Sequence, residues 1–496
     1  MSGPIAPTEI PSDKPSSIIP HKEIEKSPYL HESSESVDRV AEKKLLWKVD
    51  LHVVPALGIL YMLAFLDRIN IGNAKIQNMT TELHMVGNDY SIALFIFFIP
   101  YILLEVPSNI IIRKIAPSIW LSAIIFFWGV CTVCEGLVKN FGSLVALRFL
   151  LGIFEAGLVP GAVYLISMYY KRYELQWRLS VFFCASILAG AFGGLLAYGL
   201  AHMDGIGGYS GWRWIFIIEG LLTIVVAISF KFLLVDWPET ASFLTPADRA
   251  LLLHRLSMDT GEARMDVLDR RAAKRIFSDW KIYCGTLMYM GVVTTGYATS
   301  FFIPTIIQEM GFTAAESQVR SIPIFIVAAV VALGVAWWTD RLQHRYAFTM
   351  AGVLVGMVGY VILLCQDGVS TGVKYMACFF ITTGGYMTQP VTWTWLSNNM
   401  GGHYKRSIAM ALQIGLGNLG GIVASNVYIA NQSPRYKVGY GTSLAMLLMC
   451  GLACTVFYLG LKAENRRRDG GERDYRFTEE QLDNMGDDHP DFRYTL

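Results

Sequence analysis

Twelve blocks of about twenty consecutive, mainly apolar residues limit the fold of this chain more than any other feature of its sequence. A helix of that length crosses the hydrocarbon core of a bilayer, where each backbone polar group has to be bonded within the protein. The composition agrees, since 53% of the 496 residues are hydrophobic and 16% are charged. The sequence therefore predicts an all-α membrane protein with 12 transmembrane helices, near residues 51–75, 91–112, 118–138, 143–168, 179–201, 213–235, 282–304, 321–339, 347–365, 375–397, 407–430 and 440–461.

The longest connection, residues 236–280, separates the first six predicted helices from the last six. Similar segments recur in the two halves: YYKR precedes GAFGGLLA in the first, and HYKR precedes GNLGGIVAS in the second. A parallel repeat of six helices is typical of carriers in which two six-helix bundles rock about a site between them. The predicted segments are a disordered N-terminal tail (1–48), an N-terminal bundle (49–235), a central loop with a short amphipathic helix starting near Thr245-Pro246 (236–280), a C-terminal bundle (281–462) and a largely disordered C-terminal tail (463–496).

Lysine and arginine are concentrated in alternate connections, and short loops rich in these residues stay on the cytoplasmic side of a membrane. The connections on the opposite side hold few cations, and there is none between His202 and Trp212. The sequence therefore predicts a multi-pass protein with both termini in the cytoplasm, and we expect it in the plasma membrane. The residues that define the cytoplasmic side are Lys43, Lys44, Lys48, Arg113, Lys114, Lys171, Arg172, Arg178, Arg341, Arg345, Lys405, Arg406, Arg466, Arg467 and Arg468.

An acid and a base, Asp67 and Arg68, lie inside the first predicted helix. A charge near the bilayer centre costs roughly 2.5 to 3.5 kcal/mol even on an insertion scale, and such residues usually mark a substrate or ion path. The fourth helix contains Arg148 and Glu155, which are two turns apart and share one face. We expect that face to point toward the first helix. The alternative is that these arginines only pair with nearby acids and hold the helices together.

A guanidinium stays protonated and forms paired bonds with a carboxylate, so an organic anion suits a buried arginine. Asp67 or Glu155 would then exchange a proton as Arg68 switches between an internal acid and the substrate anion. The second half offers polar and aromatic side chains with almost no charge. Its candidate substrate-binding residues are Tyr297, Gln389, Trp393 and Asn418, for which a role in interhelical hydrogen bonding or packing is equally open.

The motifs LDRINIGNA in the first helix and RFLLGIFEAGLVPG in the fourth, together with the six-plus-six plan, resemble the major facilitator superfamily in its anion:cation symporter branch. Within that branch, the chain is most similar to the fungal allantoate and nicotinate permease group. The likeness runs from about Lys43 to Thr245 and again over helices 7 to 12.

The resemblance implies roles for several residues. Asp67 matches a proton site, Arg68 the partner of the substrate anion, and Arg148 and Glu155 two coupling residues. Tyr101 matches a tyrosine of the second helix that lines the cavity of the family. Glu105, four residues later, stands where some relatives have glutamine, so the resemblance assigns it no role.

These observations lead to one hypothesis: a secondary active transporter that carries a small organic carboxylate with protons by alternating access. Nicotinate is the first guess, on resemblance alone; the alternatives are allantoate, pantothenate, biotin, a sugar acid, or export of a metabolite. The sequence has no Walker motif, no His and Asp cluster and a net charge of +1, which disfavours ATP-driven transport, a membrane enzyme and nucleic-acid binding. The expected partners are the organic anion, a proton and the lipid bilayer, with no cofactor and no metal, and we expect a monomer.

Overall fold

The structure, a computed structural model, describes residues 28–171, 174–260, 270–342, 344–472, 485–489 and 492–496. Every regular element in these ranges is helical. The chain divides into a first unit, residues 1–47, and a second unit, residues 48–496, and the site described below lies within the second. The sequence predicted a disordered tail over residues 1–48, of which 1–27 lie outside the described residues. From Pro28 onward the chain is helical instead.

The first half of the second unit contains six predicted spans, two of which are built from consecutive helices. The second span consists of α3 and α4, and the fourth of α6 and α7, as their bounds show. The helices are α1 (Pro28–Ile76), α2 (Met79–Glu82), α3 (Asp89–Phe95), α4 (Phe98–Lys114), α5 (Pro117–Gly136), α6 (Phe141–Glu155), α7 (Leu158–Ser167), α8 (Leu175–Ala201) and α9 (Gly211–Leu233), with a 3₁₀ turn at Ile206–Gly208.

The connection between the halves contains α10 (Pro246–Thr260) and α11 (Arg270–Phe277). The first of these begins at the Thr245-Pro246 pair where the sequence predicted a helix. The backbone N–H of Asp248 donates to the Thr245 hydroxyl at 3.2 Å, which caps the helix. The Nζ of Lys48 lies 2.7 Å from the Asp248 carboxylate, so α10 is tied to the first spanning helix.

The second half follows the same plan, and its sixth span is the longest of its helices. Its fifth span is again made of two helices, α16 and α17. The helices are α12 (Trp280–Glu309), α13 (Ala314–Leu342), α14 (Arg345–Leu364), α15 (Thr371–Asn398), α16 (His403–Gly417), α17 (Leu419–Val427) and α18 (Lys437–Asp469), with 3₁₀ turns at Ala430–Gln432 and Gly486–Asp488.

Among the described residues, eleven helical segments are long and apolar enough to cross a membrane. The remaining predicted span corresponds to α15, which has 28 residues but is more polar. Its polar side chains, among them Thr382, Thr388 and Gln389, are buried in the protein. A helix that faces protein on its polar side needs less apolar surface than one that faces lipid. The predicted all-α membrane fold is thus confirmed.

The two halves touch where glycine lets helices come close. A Cβ on Gly72 of α1 would lie 2.8 Å from the carbonyl oxygen of Phe301 in α12. A Cβ on Gly194 of α8 would lie 2.8 Å from that of Gln318 in α13. Only glycine permits such an approach of one helix to the backbone of another. The glycine-rich run GAFGGLLA, which includes Gly194, thus packs closely against α13.

We call the end of the bundle that contains Lys48, Asp279 and Asp487 the basal end. Here the described residues correct the predicted disorder of the C-terminal tail, because α18 continues to Asp469 and residues 485–489 and 492–496 pack against the second half. Asp487 is completely buried and lies within 2.8 Å of the Nζ atoms of Lys281 and Lys405. The sequence also predicts a short helix capped by Thr478 in this tail, and that residue lies outside the described residues.

Candidate functional site

The centre of the molecule is organised around Arg68, on the face of α1 that also presents Tyr61 and Phe65. These three residues are four and three positions apart, so they lie above one another on the helix. The Arg68 side chain is buried, and its guanidinium donates to the Tyr297 hydroxyl of α12 and to the Glu155 carboxylate of α6. One residue of the second half and one of the first therefore share this cation.

Aromatic rings enclose the same guanidinium. Its central carbon lies 4.9 Å from the ring centroid of Phe97, 5.0 Å from that of Tyr101 and 5.5 Å from that of Tyr297. A guanidinium is attracted to the negative face of such rings, most strongly when water is excluded. Arg68 is thus held by both ionic and aromatic contacts.

Asp67 points away from this centre, as expected for the neighbouring position on a helix. Its carboxylate accepts from the Trp128 indole of α5 at 2.7 Å and from the Thr223 hydroxyl of α9 at 3.0 Å. The side chain is buried within the first half. Asp67 and Arg68 are adjacent in the sequence, but their side chains therefore contact different residues.

Arg148 and Glu155 share a face of the fourth span but do not pair with each other. The Arg148 Nη2 lies 3.1 Å from the carboxylate of Glu135 in α5, while Glu155 pairs with Arg68. A separation of two turns places two residues on one face of a helix, but it does not determine which residues they pair with. Glu135 was not among the predicted site residues although it lies within the third predicted helix, residues 118–138; a count of every acid in each block would have found it.

Two further carboxylates are buried in the first half. Glu219 of α9 accepts a hydrogen bond from the Asn70 amide of α1. Glu105 of α4 is fully buried, and among the described residues neither of its oxygens has a hydrogen-bond partner.

The second half faces Arg68 with hydroxyl and amide groups. The Tyr297 hydroxyl donates to the Asn418 side-chain oxygen at 3.1 Å, and the Gln389 amide donates to the Tyr289 hydroxyl at 3.3 Å. The hydroxyls of Ser300 and Tyr386 are 2.7 Å apart. The hydrogen-bonded tyrosines are thereby fixed around the centre.

These side chains enclose a small central pocket of about 10 Å³. That is room for about one water, so an organic ligand enters only if the two halves move apart. The pocket is lined by Tyr61, Phe65, Arg68, Tyr101, Val159, Tyr289, Val293, Gly296, Tyr297, Tyr386, Gln389, Ile414 and Asn418.

Five of the six residues predicted to bind substrate line this pocket: Arg68, Tyr101, Tyr297, Gln389 and Asn418. The sixth, Trp393, is buried behind it, with its ring 5.4 Å from that of Tyr289. Tyr61 and Phe65 were missed, although their spacing from Arg68 was a usable signal. Among the described residues, no group of three or more His, Cys, Asp or Glu side chains is arranged to hold a metal ion.

A sequence model for the Major Facilitator Superfamily matches residues 57–425. An uncharacterised transporter of Schizosaccharomyces pombe is 36% identical over 425 residues, which cover 86% of this chain and 84% of the relative. The major facilitator-type transporter hxnP of Emericella nidulans is 31% identical over 479 residues, covering 95% and 96%.

Solved structures show the same fold at low sequence identity. A crystal structure of a D-xylose-proton symporter superposes with a TM-score of 0.63 at 15% identity, covering 83% of this chain and 97% of that one. A bacterial homologue of the human lysosomal transporter Spinster, inward-facing and occupied, gives 0.60 at 16% identity, covering 82% and 96%.

Proposed function

Because this chain belongs to the Major Facilitator Superfamily and its relatives are named as transporters, we propose that it is a secondary active transporter that moves a small organic carboxylate together with protons. Membrane transport itself is supported by the family. The coupling to protons, the carboxylate and nicotinate as the first candidate are our proposal.

One observation carries the proposal: a permanent cation, Arg68, lies at the centre between the halves and is neutralised there by an internal acid, Glu155. A substrate carboxylate is chemically equivalent to that partner, since both offer two oxygens to a guanidinium. Substrate and Glu155 thus compete for one cation.

The competition links substrate to proton. When a substrate carboxylate takes the guanidinium, Glu155 is left buried with a charge that no longer has its partner, and such a charge costs several kcal/mol. Uptake of a proton by Glu155 removes that cost. Asp67 and Arg148 lie in the same bundle as Glu155, and we assign them to coupling because both are buried charged groups, of which Arg148 pairs with Glu135.

The aromatic lining supports a ring-bearing substrate. The pocket presents the rings of Tyr61, Phe65, Tyr101, Tyr289, Tyr297 and Tyr386 around Arg68. A flat pyridine stacks on such rings, and its nitrogen accepts from a tyrosine hydroxyl or an amide. Nicotinate, a pyridine with one carboxylate, fits this chemistry.

We assign the basal end to the cytoplasm of a cell that imports its substrate across the plasma membrane. The concentration of lysine and arginine at that end supports this orientation, with both termini cytoplasmic.

Uptake of a panel of labelled carboxylates into cells that lack their own permeases tests the proposal. We expect nicotinate to accumulate, more at acidic than at neutral external pH. Arg68→Lys keeps the charge but loses the planar pair of donors, so uptake falls at least about tenfold, since disrupting a buried charged pair costs ~2–5 kcal/mol.

A matched control is Arg435→Lys, because Arg435 pairs with Asp367 at an exposed position and does not line the pocket. This control should transport normally, and surface biotinylation should find all three proteins in the membrane. Wild-type uptake by Arg68→Lys would contradict the assigned role, and uptake of another carboxylate in the panel would replace nicotinate.

A further inference from the structure

Glu105 is a buried carboxyl group for which the proposed function has no use. It lies one helical turn from Tyr101, whose ring packs on the Arg68 guanidinium at 5.0 Å. Its side chain is fully buried, and neither oxygen has a hydrogen-bond partner among the described residues. An ionised carboxylate without a partner is costly in such a place, so the neutral, protonated acid is the form that suits this conformation.

The charged groups of the surrounding helices are engaged elsewhere. Glu155 pairs with Arg68, Arg148 lies against Glu135, and Lys405 lies against Asp279 and Asp487 at the basal end. None of the hydrogen bonds or ion pairs of these groups includes Glu105. Among the residues whose side chains are described, the titratable or charged ones on the helices packed against α4 are Asp89 and Tyr90 (α3), Cys131, Cys134 and Glu135 (α5), Arg148 and Glu155 (α6), Tyr164 (α7), and Lys405 and Arg406 (α16), and α17 has none.

The position of Glu105 places it on the boundary between the two halves. A Cβ on Gly415 of α16 would lie 3.1 Å from the Oε2 of Glu105, so the carboxyl packs against the backbone of the second half. One turn further along α4, Asn109 lines a second cavity of about 20 Å³. Ile414, the neighbour of Gly415, lines both that cavity and the central pocket.

The second cavity lies toward the basal end, because α4 runs from the central Tyr101 to its last residue, Lys114, and α16 begins at that end with His403 and Lys405. Along α4, Glu105 therefore lies between Tyr101, which lines the central pocket, and Asn109, which lines the second cavity. It is thus an ionisable side chain on the helix that runs past both spaces.

We propose that Glu105 is the carboxyl from which the transported proton is released toward the basal end, and that its reprotonation is required before α4 and α16 close again. This inference rests on the proposed function. When the halves separate at the basal end, water reaches Glu105, its O–H bond breaks and the proton passes to water. The remaining carboxylate cannot return to the dry contact with Gly415 until it takes up a proton.

Purified protein in liposomes, with labelled nicotinate as the probe, tests the inference through Glu105→Gln. Glutamine imitates the protonated acid, so the halves still close and exchange of internal for external nicotinate at equal pH should persist. Accumulation driven by a pH difference should disappear, whereas the wild type gains up to about tenfold per pH unit for one proton per substrate. Accumulation by Glu105→Gln equal to the wild type would overturn the inference.

Glu105→Asp is the matched control, because it keeps an ionisable group and should retain pH-driven accumulation with a displaced pH midpoint. If Glu105→Gln does not reach the membrane, an unchanged midpoint in Glu105→Asp overturns the inference instead. A readout without substrate separates this result from failure of the proposed function. Infrared difference spectra of the purified wild type should show the carbonyl stretch of a protonated carboxyl that is lost in Glu105→Gln, and its persistence there would also overturn the inference.

Discussion

Replacing Asp487 with asparagine should release the C-terminal segment from the basal end. The Asp487 carboxylate lies 2.6 Å from the Nζ of Lys281 and 2.8 Å from that of Lys405, and it also accepts from the backbone N–H of Gly401 at 3.1 Å. Asp279 completes the cluster, 2.6 Å from Lys405 and 3.2 Å from Lys281. Two buried ammonium groups are thus balanced by two carboxylates.

The size of the effect follows from that balance. Asp487→Asn leaves two buried positive charges with one negative charge, and removing one partner from a buried ionic cluster costs about 3–5 kcal/mol. The segment can avoid this cost by undocking from Lys281 and Lys405. The equilibrium between docked and undocked segment should therefore shift by roughly 10²- to 10⁴-fold.

Digestion of the purified protein with carboxypeptidase Y, followed by intact mass, measures that shift. In the docked state, Thr495 is held by the Trp395 indole at 3.0 Å and by the Asn399 amide at 3.1 Å, so the last residues are protected. When opening is fast relative to cleavage, the rate of digestion follows the undocked fraction. Asp487→Asn should be digested at least about 100-fold faster than the wild type.

Asp488→Asn is the matched control, because Asp488 is the next residue after Asp487. Burial and the neighbouring Asp487 raise the pKa of Asp488, so removing its charge relieves repulsion and should leave digestion equal or slower. Equal rates in the wild type and Asp487→Asn would refute the reasoning. So would rapid digestion of the wild type.

The same cluster makes docking sensitive to acid. Burial by itself would raise the pKa of Asp487, but Lys281 and Lys405 outweigh it and hold the pKa well below the ordinary value. A carboxylate with a lowered pKa contributes stability above its unfolded pKa of about 3.9 and loses it as the pH falls. The segment should therefore stay docked down to about pH 4 and loosen below it, as tested with an acid-stable protease.

Two other variants test the centre and the contact between the halves. Asp67→Asn keeps an oxygen that accepts from Trp128 but cannot ionise, so the protein should reach the membrane yet lose pH-driven accumulation of labelled nicotinate; normal accumulation would contradict a coupling role. Gly194→Ala puts a Cβ 2.8 Å from the Gln318 carbonyl oxygen, and overpacking of this kind costs about 1–3 kcal/mol. The control is Gly334→Ala, whose Cβ meets nothing within 4 Å. The unfolding midpoint of Gly194→Ala in detergent should therefore be lower than that of Gly334→Ala. Equal midpoints would show that the contact of α8 with α13 is not tight.

Much of the site could be predicted because charge in a membrane helix is conspicuous. Arg68 and Glu155 stand out in any apolar block, and both lie at the centre. Their pairing could not be predicted, since spacing along one helix defines a face and not the neighbour across from it. The same limit applies to Arg148, whose partner, Glu135, lies on another helix. Adjacent helical positions point about 100° apart, so Asp67 and Arg68 contact different residues although they are neighbours in sequence.

The C-terminal segment was harder still. Residues 485–496 are polar and short, and composition alone favours disorder for such a stretch. The order of residues 485–489 and 492–496 depends on Lys281 and Lys405, which lie far away in the sequence; Lys405 was interpreted only as a cytoplasmic charge. A polar segment whose charges are complementary to a distant cluster leaves no local signature.

The unequal division of chemistry between the halves has a consequence for substrate selection. In the described residues, the carboxylates and guanidinium groups buried around the centre belong to the first half, whereas the second half contributes tyrosine hydroxyls and the amides of Gln389 and Asn418. On the proposed function, the cation that takes the substrate carboxylate and the groups that exchange protons all lie in the first half, and the second half adds only neutral polar groups. Substitutions at Gln389 or Asn418 would then change which carboxylate fits without altering a charged group.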